Sequence, residues 1–346
     1  MLDRSSILPV ANDDVQRPGR LFAGSAAPVE VMAPRRRSAP VVFSSPHSGR
    51  DYPASFVASS GLDLDTLRRS EDSFVDLLFQ AVPDFGASLV KANFPRAFVD
   101  ANREPFELDP EMFSDALPDH VNANSPRVAA GLGTIARVVA KGVEIYRDKM
   151  PFAQAAARIN DYYRPYHAAL AREVAETRAQ FGTCIVVDCH SMPSFGPEHG
   201  GAMQCGPADR DGRGFSGQGI DIVLGDAKGR SCAGALTDMV DGVLTQAGYA
   251  VRRNVPYPGG HITYRYGRPD EGLHSLQIEI NRALYMDERQ FALRRGWSQV
   301  AADMAGLAER LCGLDAASLT GLGRAQGEPR DIAEPSANYT EKRAAT

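Results

Sequence analysis

Ile185-Val186-Val187-Asp188-Cys189-His190-Ser191-Met192-Pro193 is the stretch from which the fold of this chain is read. It opens with apolar, largely β-branched residues and reads as a buried strand. The apolar run then breaks at Asp188-Cys189-His190-Ser191. In an open α/β sheet, ligands collect just past the carboxyl ends of the strands. His190 stands at such a point, with a carboxylate two residues before it. A second run, Val41-Val42-Phe43-Ser44-Ser45-Pro46-His47-Ser48-Gly49, ends the same way. A lone strand-end histidine is more often structural. Two strands that each deliver a histidine at their end point to one metal site.

Working outward, residues 1–39 are rich in Pro, Arg, Ala and Ser and predict an extended or partly disordered arm. A strand is expected over 41–45 and a helix over 64–81, where Leu64, Leu67, Phe74, Val75, Leu77 and Leu78 give a mostly helical apolar spacing. Strands follow at 88–92 and 97–100. Residues 104–133, with several Pro, Asp, Asn and Gly, predict a long loop of the kind that is often functional. Helices are expected at 137–149 and 152–180, the second closed by Gly182 as a C-cap. The strand 184–189 comes next, then a Gly-rich loop at 196–219. A helix at 231–247, strands at 249–254 and 274–280 and a long helix at 287–312 complete the pattern. Strands alternating with helices predict an α/β fold: a single mixed, mostly parallel sheet flanked by helices. There is no internal repeat and no good place for a domain cut. The catalytic domain is therefore read as 40–313, followed by a polar tail, 314–346.

Composition narrows the function classes. Of 346 residues, 43% are hydrophobic and 23% charged, ordinary values for a soluble globular protein. A net charge of -5 argues against nucleic acid as the partner. Arg35-Arg36-Arg37, flanked by Pro34 and Pro40, reads as a solvated linker. No stretch approaches the 18 or so apolar residues of a membrane span, and the N-terminus lacks the apolar core of a secretory signal. The five cysteines are odd in number and none has C-x-x-C spacing. A disulfide framework is not expected, and a cytoplasmic location fits best.

A catalytic zinc takes about three ligands from His and Asp/Glu and leaves a position open. His47 and His190 supply two. The third is sought in Arg69-Ser70-Glu71-Asp72, although carboxylates near a helix start are commonplace. Metal-assisted hydrolysis also needs a general base. Leu276-Gln277-Ile278-Glu279-Ile280 puts Glu279 inside an apolar strand, where burying it alone is costly. Either it is functional or metal-bound, or it forms an internal salt bridge to an arginine such as Arg282. Asn102-Arg103 follows the apolar run 97–100, and an arginine fork is suited to gripping a carboxylate. A structural ion pair is the more common use of arginine.

Together these pieces resemble the N-formylglutamate amidohydrolase family. The blocks that carry the resemblance are Ser45-Pro46-His47-Ser48-Gly49, Glu71-Asp72-Ser73-Phe74-Val75-Asp76, Phe98-Val99-Asp100-Ala101-Asn102-Arg103, Asp188-Cys189-His190-Ser191-Met192-Pro193, Gly259-Gly260-His261-Ile262-Thr263, and Gly267-Arg268-Pro269 leading into Leu276-Gln277-Ile278-Glu279-Ile280-Asn281-Arg282. They run in family order from about residue 41 to 286 and are specific as a set. The family is similar to zinc carboxypeptidases and aspartoacylase-like amidohydrolases. The resemblance implies an eight-stranded type of mixed α/β sheet, one zinc ion per chain, and hydrolysis of an amide next to a free carboxylate. It implies His47, His190 and Asp72 as metal ligands, with Glu71 as the alternative to Asp72. Arg50 stands where the carboxypeptidases have a ligating glutamate, so the carboxylate must come from elsewhere, and Asp51 is a poorer candidate. Glu279 matches the general base, and Asn102-Arg103 the carboxylate clamp. Gly260, Arg265 and Arg268 are expected around an acidic substrate, the arginines alternatively as loop anchors. His167 lies on an aromatic helical stripe read as core packing.

The implied activity is removal of a small N-acyl group, formyl in the namesake case, from an acidic amino acid such as glutamate. An enzyme for another N-acyl amino acid or a short peptide is the second reading. Ser73 stands where the histidine-degradation form carries an aromatic residue. A catalytically idle binding protein on this fold is the third. The expected partner is a small N-acyl amino acid with a free carboxylate, with no nucleic acid and no membrane. The sequence sets no oligomeric state.

Overall fold

The computed structural model describes residues 20–22, 27–139, 142–194 and 219–322. Most of the expected arm, the expected loop 196–219 but for its last residue, and the expected tail beyond 322 lie outside the described residues. One seven-stranded sheet organises the rest. Its strands are β1 (Val29–Met32), β2 (Val41–Ser45), β3 (Ser88–Ala92), β4 (Cys184–Met192), β5 (Ile222–Gly225), β6 (Val251–Arg253) and β7 (Leu273–Asn281). Their spatial order is β1-β3-β2-β4-β7-β5-β6. The centre, β3-β2-β4-β7, is parallel throughout. β1 joins β3 antiparallel at one edge, and β5 joins β7 antiparallel at the other, with β6 parallel to β5. The expected single mixed, mostly parallel sheet is present, with seven strands among the described residues rather than the eight-stranded type.

The helices that matter below are α1 (Leu64–Arg68), α2 (Val75–Leu78), α3 (Arg164–Phe181), α4 (Gly234–Gln246), α5 (His261–Tyr266) and α6 (Trp297–Cys312). The two-residue period of the strands sorts their side chains onto two faces. Val41, Phe43, Leu89, Ile185, Val187, Leu276, Ile278 and Ile280 pack with α4 and α6 in one core. Val42, Val90, Cys184 and Val186 pack with Tyr166, Leu170 and Val174 of α3 in the other. By that alternation Asp188, His190 and Glu279 fall on the α3 face. The first core is wholly apolar; the second passes into chemistry at the carboxyl ends of its strands.

Several expected elements change form. Residues 64–81 are not one helix. The chain leaves α1 at Arg69 and re-enters at Val75, with Phe74 left-handed at φ 67°. The apolar spacing there is real, and Leu67, Phe74, Val75 and Leu78 are all buried. The interruption turns Glu71 and Asp72 into the interior. Residues 97–100 form a turn rather than a strand. The described residues of 137–149 make no helix; Val138 and Glu144 form a single bridge there. The expected helix 152–180 is Phe152–Arg158, a π turn at Ile159–Tyr163, and then α3. Pro165 has no amide hydrogen to give the preceding turn, which widens there. Gly182 closes α3 at φ 76° as expected. The last long helix starts at Trp297, since 286–293 form a short two-stranded ribbon. Residues 29–32 of the expected arm form the edge strand β1.

Candidate active site

β4 and β7 pair in register, so that His190 faces Glu279 across the ladder and Asp188 faces Gln277. His47 lies two residues past the end of β2. Its carbonyl accepts the Asp72 amide hydrogen at 3.0 Å, which draws the broken segment between α1 and α2 over the strand ends. Gly49 lets this loop close, because a Cβ there would meet the Phe94 carbonyl oxygen at 2.1 Å.

His47, Asp72 and His190 bring their ligand atoms within 4.8 Å of one another, all three buried. Asp72 Oδ2 stands 2.9 Å from His190 Nδ1 and 3.3 Å from His47 Nδ1. Each imidazole turns its other nitrogen to a second carboxylate. His47 Nε2 is 2.7 Å from Asp100 Oδ1, and His190 Nε2 is 3.0 Å from Asp188 Oδ2. With the hydrogen on Nε2, each ring points a bare Nδ1 lone pair at Asp72. Two lone pairs and a carboxylate oxygen then converge with nothing positive between them. His47 Nδ1 is buried without a hydrogen-bond partner among the described residues. A divalent cation answers that arrangement, and carboxylate–imidazole pairs are the usual support for metal-ligating histidines. Without a cation, protons do the work. Burial lowers the His190 pKa, but Asp188 and Asp72 raise it further, leaving it well above its ordinary value. Burial raises Asp72, but the hydrogen bond with His190 and the close approach of His47 outweigh that, holding it well below its ordinary value. The residues present fit a bound metal.

Asp72 and Glu71 separate cleanly. Glu71 accepts from Tyr52 (2.8 Å), Arg68 (3.1 Å) and Ser73 (2.7 Å), a closed buried network away from the histidines. The second oxygen of Asp72 accepts from Arg282 Nη2 at 3.0 Å. Arg282 also donates to Ser191 and the Arg69 carbonyl, so it serves Asp72 and is not the salt-bridge partner of Glu279. Glu279 is 8% exposed and accepts from Gln277 Nε2 at 2.9 Å. Burial, opposed by His190 and reinforced by Asp72, pushes its carboxyl up to about 7.

The turn 100–103 ties the metal group to the substrate side. Asp100 Oδ1 also accepts from the Asn102 amide hydrogen (2.8 Å). Its Oδ2 accepts from Arg96 Nε (2.9 Å) and lies 3.6 Å from Arg103 Nη2. Burial would raise Asp100, but Arg103, Arg96 and His47 hold it well below its ordinary value. Asn102, expected as a substrate contact, commits its amide to the protein. Nδ2 donates to Asp188 Oδ2 (2.9 Å) and Oδ1 accepts from Ile262 N (2.7 Å). Gly260 serves that contact, since a Cβ there would fall 2.3 Å from Asn102 Nδ2. His167 Nε2 donates to the Ala101 carbonyl (2.8 Å) and Tyr163 to the Arg103 carbonyl (2.8 Å). The aromatic stripe of α3 therefore pins this turn as well as filling the core.

Arg103 is 11% exposed on its side chain and is oriented by the carbonyls of Leu132 and Asn102, both at 2.9 Å. Arg265 lies over the Tyr266 ring at 5.8 Å. Arg268 pairs with Glu271 at 2.9 Å on the surface and donates to the Arg265 carbonyl. Its contacts among the described residues are of the loop-anchoring kind. Sequence reasoning passed over Arg96, whose charge is felt by Glu279; burial would lower the pKa of Arg96 itself, but Asp100 first, then Asp72 and Glu279, raise it. Its one signal was a basic residue four before Asp100. The support roles of Asp100 and Asp188 were also missed, although both stood in quoted blocks.

A mixed α/β sheet that gathers a buried His–Asp–His group and a carboxylate at the ends of its central parallel strands has the build of an amidohydrolase. The N-formylglutamate amidohydrolase family model matches residues 39–286. This chain belongs to that family. It is 31% identical over 271 residues to the N-formylglutamate deformylase of Pseudomonas aeruginosa, covering 77% of this chain and 89% of the relative. It is 29% identical over 266 residues to the N-formylglutamate deformylase of Pseudomonas putida, covering 75% and 87%. The crystal structure of an N-formylglutamate amidohydrolase from Ralstonia eutropha JMP134 superposes with a TM-score of 0.75 at 35% identity, over 85% of this chain and all of that one.

Proposed function

We propose that this chain is a zinc-dependent deformylase of N-formyl-L-glutamate, with His47, Asp72 and His190 as the metal ligands and Glu279 as the general base. The observation that carries the reading is the Glu279 carboxylate facing His190 across the β4–β7 ladder, on the same face as the His–Asp–His group. When bound there, zinc supplies Lewis-acid polarisation of the amide carbonyl and acidifies water.

The chain's own residues do the rest. Glu279, held up near neutrality by burial, accepts the proton of the attacking water at a carboxylate oxygen. The water oxygen bonds to the formyl carbon, and Glu279 returns the proton to the amide nitrogen. The C–N bond breaks, leaving formate and L-glutamate. Arg96, held against Asp100 and acting electrostatically on Asp72 and Glu279, places a fixed positive charge where negative charge develops on the carbonyl oxygen. Arg103 grips the α-carboxylate with the donors its two carbonyl contacts leave free. Asp100 and Asp188 hold the imidazoles so that Nδ1 faces the metal. The Asn102 amide, which Gly260 lets approach, fixes Asp188 from behind.

No helix among the described residues is long and apolar enough to cross a membrane. The four described cysteines are buried and free, which supports the cytoplasmic reading. The test is a panel of N-formyl, N-acetyl and N-succinyl amino acids offered to the full chain, with metal content measured by elemental analysis. One zinc per chain and the highest kcat/KM on N-formyl-L-glutamate are expected. Stoichiometric zinc with no hydrolysis of any member would instead mark a binding protein.

A further inference from the structure

Around Arg103 the structure gathers more positive charge than one carboxylate needs. The Asn102 carbonyl accepts from both Arg103 Nη1 (2.9 Å) and the His261 amide hydrogen (3.4 Å), so the start of α5 lies against the Arg103 guanidinium. The Leu132 carbonyl takes Arg103 Nε, and the Leu132 amide hydrogen reaches the Arg127 carbonyl at 2.8 Å, so the one-turn helix Pro126–Ala129 that bears Arg127 closes the other side. The His261 side chain feels the charge of both Arg103 and Arg127. Its Nε2 is buried with no hydrogen-bond partner among the described residues. Burial, then the charges of His167, Arg265, Arg127 and Arg103, push it down to about 3, so it is a neutral imidazole amid guanidinium groups.

The acidic groups nearby do not balance this charge. Asp100 lies 3.6 Å from Arg103 Nη2, but it also holds His47 and pairs with Arg96. Glu104 is exposed and accepts from Asn122. Buried Glu107 is the other close carboxylate, its Oε1 held by Ser125 and its Oε2 3.9 Å from Arg127 Nη1. Arg96, Arg103, Arg127 and Arg265 against Asp100 and Glu107 leave two positive charges, the number of carboxylates on an N-acyl glutamate or aspartate. Arg265 lies over the Tyr266 ring and Arg268 is paired with Glu271. Arg127, 39% exposed on its side chain, has only a long contact to Glu107 and keeps its fork available.

We propose that Arg127 is the specificity-determining residue that takes the second, side-chain carboxylate of a dicarboxylic substrate, while Arg103 takes the first. The assignment rests on the proposed reading of the site as an N-acyl amino acid hydrolase. It adds that discrimination between glutamate and its uncharged isostere resides in the short helix Pro126–Ala129, outside the metal ligands.

The test uses the zinc-loaded full chain, its Arg127→Gln and Arg127→Lys variants, and two readouts. Turnover is measured on N-formyl-L-glutamate and N-formyl-L-glutamine, and binding of the products L-glutamate and L-glutamine by calorimetry. The wild type should favour the dicarboxylic member of each pair. Arg127→Gln should lower kcat/KM for N-formyl-L-glutamate by at least about 30-fold, the loss of one charge-assisted contact, and change the glutamine substrate by less than about threefold. Arg127→Lys should restore part of the preference. Equal losses on both substrates would show that Arg127 only holds the loop through Glu107, and would overturn the proposal. So would a wild type with no preference in either readout, or one that binds neither product. A glutamate preference in binding that Arg127→Gln abolishes, without turnover of either formyl substrate, would uphold the subsite and sink the deformylase reading. Turnover without preference would do the reverse.

Discussion

The two histidines are delivered by strands of the same sheet, but they are held in different ways. His190 is inside β4, two residues past the last pair of that strand with β2 and locked in register with β7. His47 is beyond the end of β2, on a loop fixed by one backbone bond to Asp72, by Asp100 and by the close pass of Gly49 under Phe94. Ladder bonds are repeated, so losing one side chain leaves the strand in place. The loop depends on the side chains that converge on it. One half of the site is thus set by the sheet, and the other by a network that includes the 100–103 turn.

Removing the histidines tests that difference most sharply. His190→Ala and His47→Ala should each abolish bound zinc and turnover, since two remaining ligands hold the ion weakly. His190→Ala should leave the melting temperature of the metal-free protein little changed, whereas His47→Ala should lower it by several degrees. Equal shifts in calorimetry would erase the distinction. Next in size, Glu279→Gln changes a ladder-held group without touching the ligands. It should keep zinc and fold while turnover falls about 10²–10⁴-fold. A variant that is unstable but turns over normally per folded molecule would make Glu279 structural.

Asp188→Asn and Asp100→Asn compare the two supports directly. Either should cost about 10–100-fold in zinc affinity, measured by chelator competition. Asp100→Asn should cost more, because Asp100 also carries Arg96 and the Asn102 amide; the reverse order would mean that the loop is better braced than the strand. A further effect concerns pH and stability rather than turnover. Burial lowers His167 to about 4 in the folded chain, against 6.5 as its ordinary value. Between those values the unfolded chain binds the extra proton. The His167 contribution is therefore complete above about pH 6.5 and is lost as pH falls toward 4, by at most about 3 kcal/mol. His167→Gln should flatten that part of the stability profile. An unchanged profile would show that His167 does not bear on the turn.

The same contrast explains how far the sequence could be read. β2 and β4 were legible because strands covered on both faces are apolar runs that end abruptly in polar residues, and β7 because Leu276, Ile278 and Ile280 recur at every second position. His47, His190 and Glu279 came with them. The 64–81 segment misled because burial on one face produces helical spacing whether or not the backbone stays helical. Phe74 is buried at a left-handed φ, and the break it permits turns Asp72 inward. Residues 97–100 look like a strand because Ala97, Phe98 and Val99 fill a core, yet they do so from a turn. The choice of Asp72 over Glu71 stayed open in the sequence because it depends on Tyr52, Arg68 and Ser73, which meet Glu71 only after folding. The supports Asp100, Asp188 and Asn102 are likewise side-chain encounters over long sequence separations.

The ladder pairing of His190 with Glu279 also fixes when the site can form. The two residues are neighbours in space but 89 positions apart in the chain, a separation every β4–β7 pair shares. Closing a loop of that length costs about 4 kcal/mol of chain entropy before any strand contact is gained. A chain emerging from the ribosome therefore carries β4 with its β7 side open until β7 follows. The half of the centre that is most rigid in the finished protein is the half that must wait longest to exist.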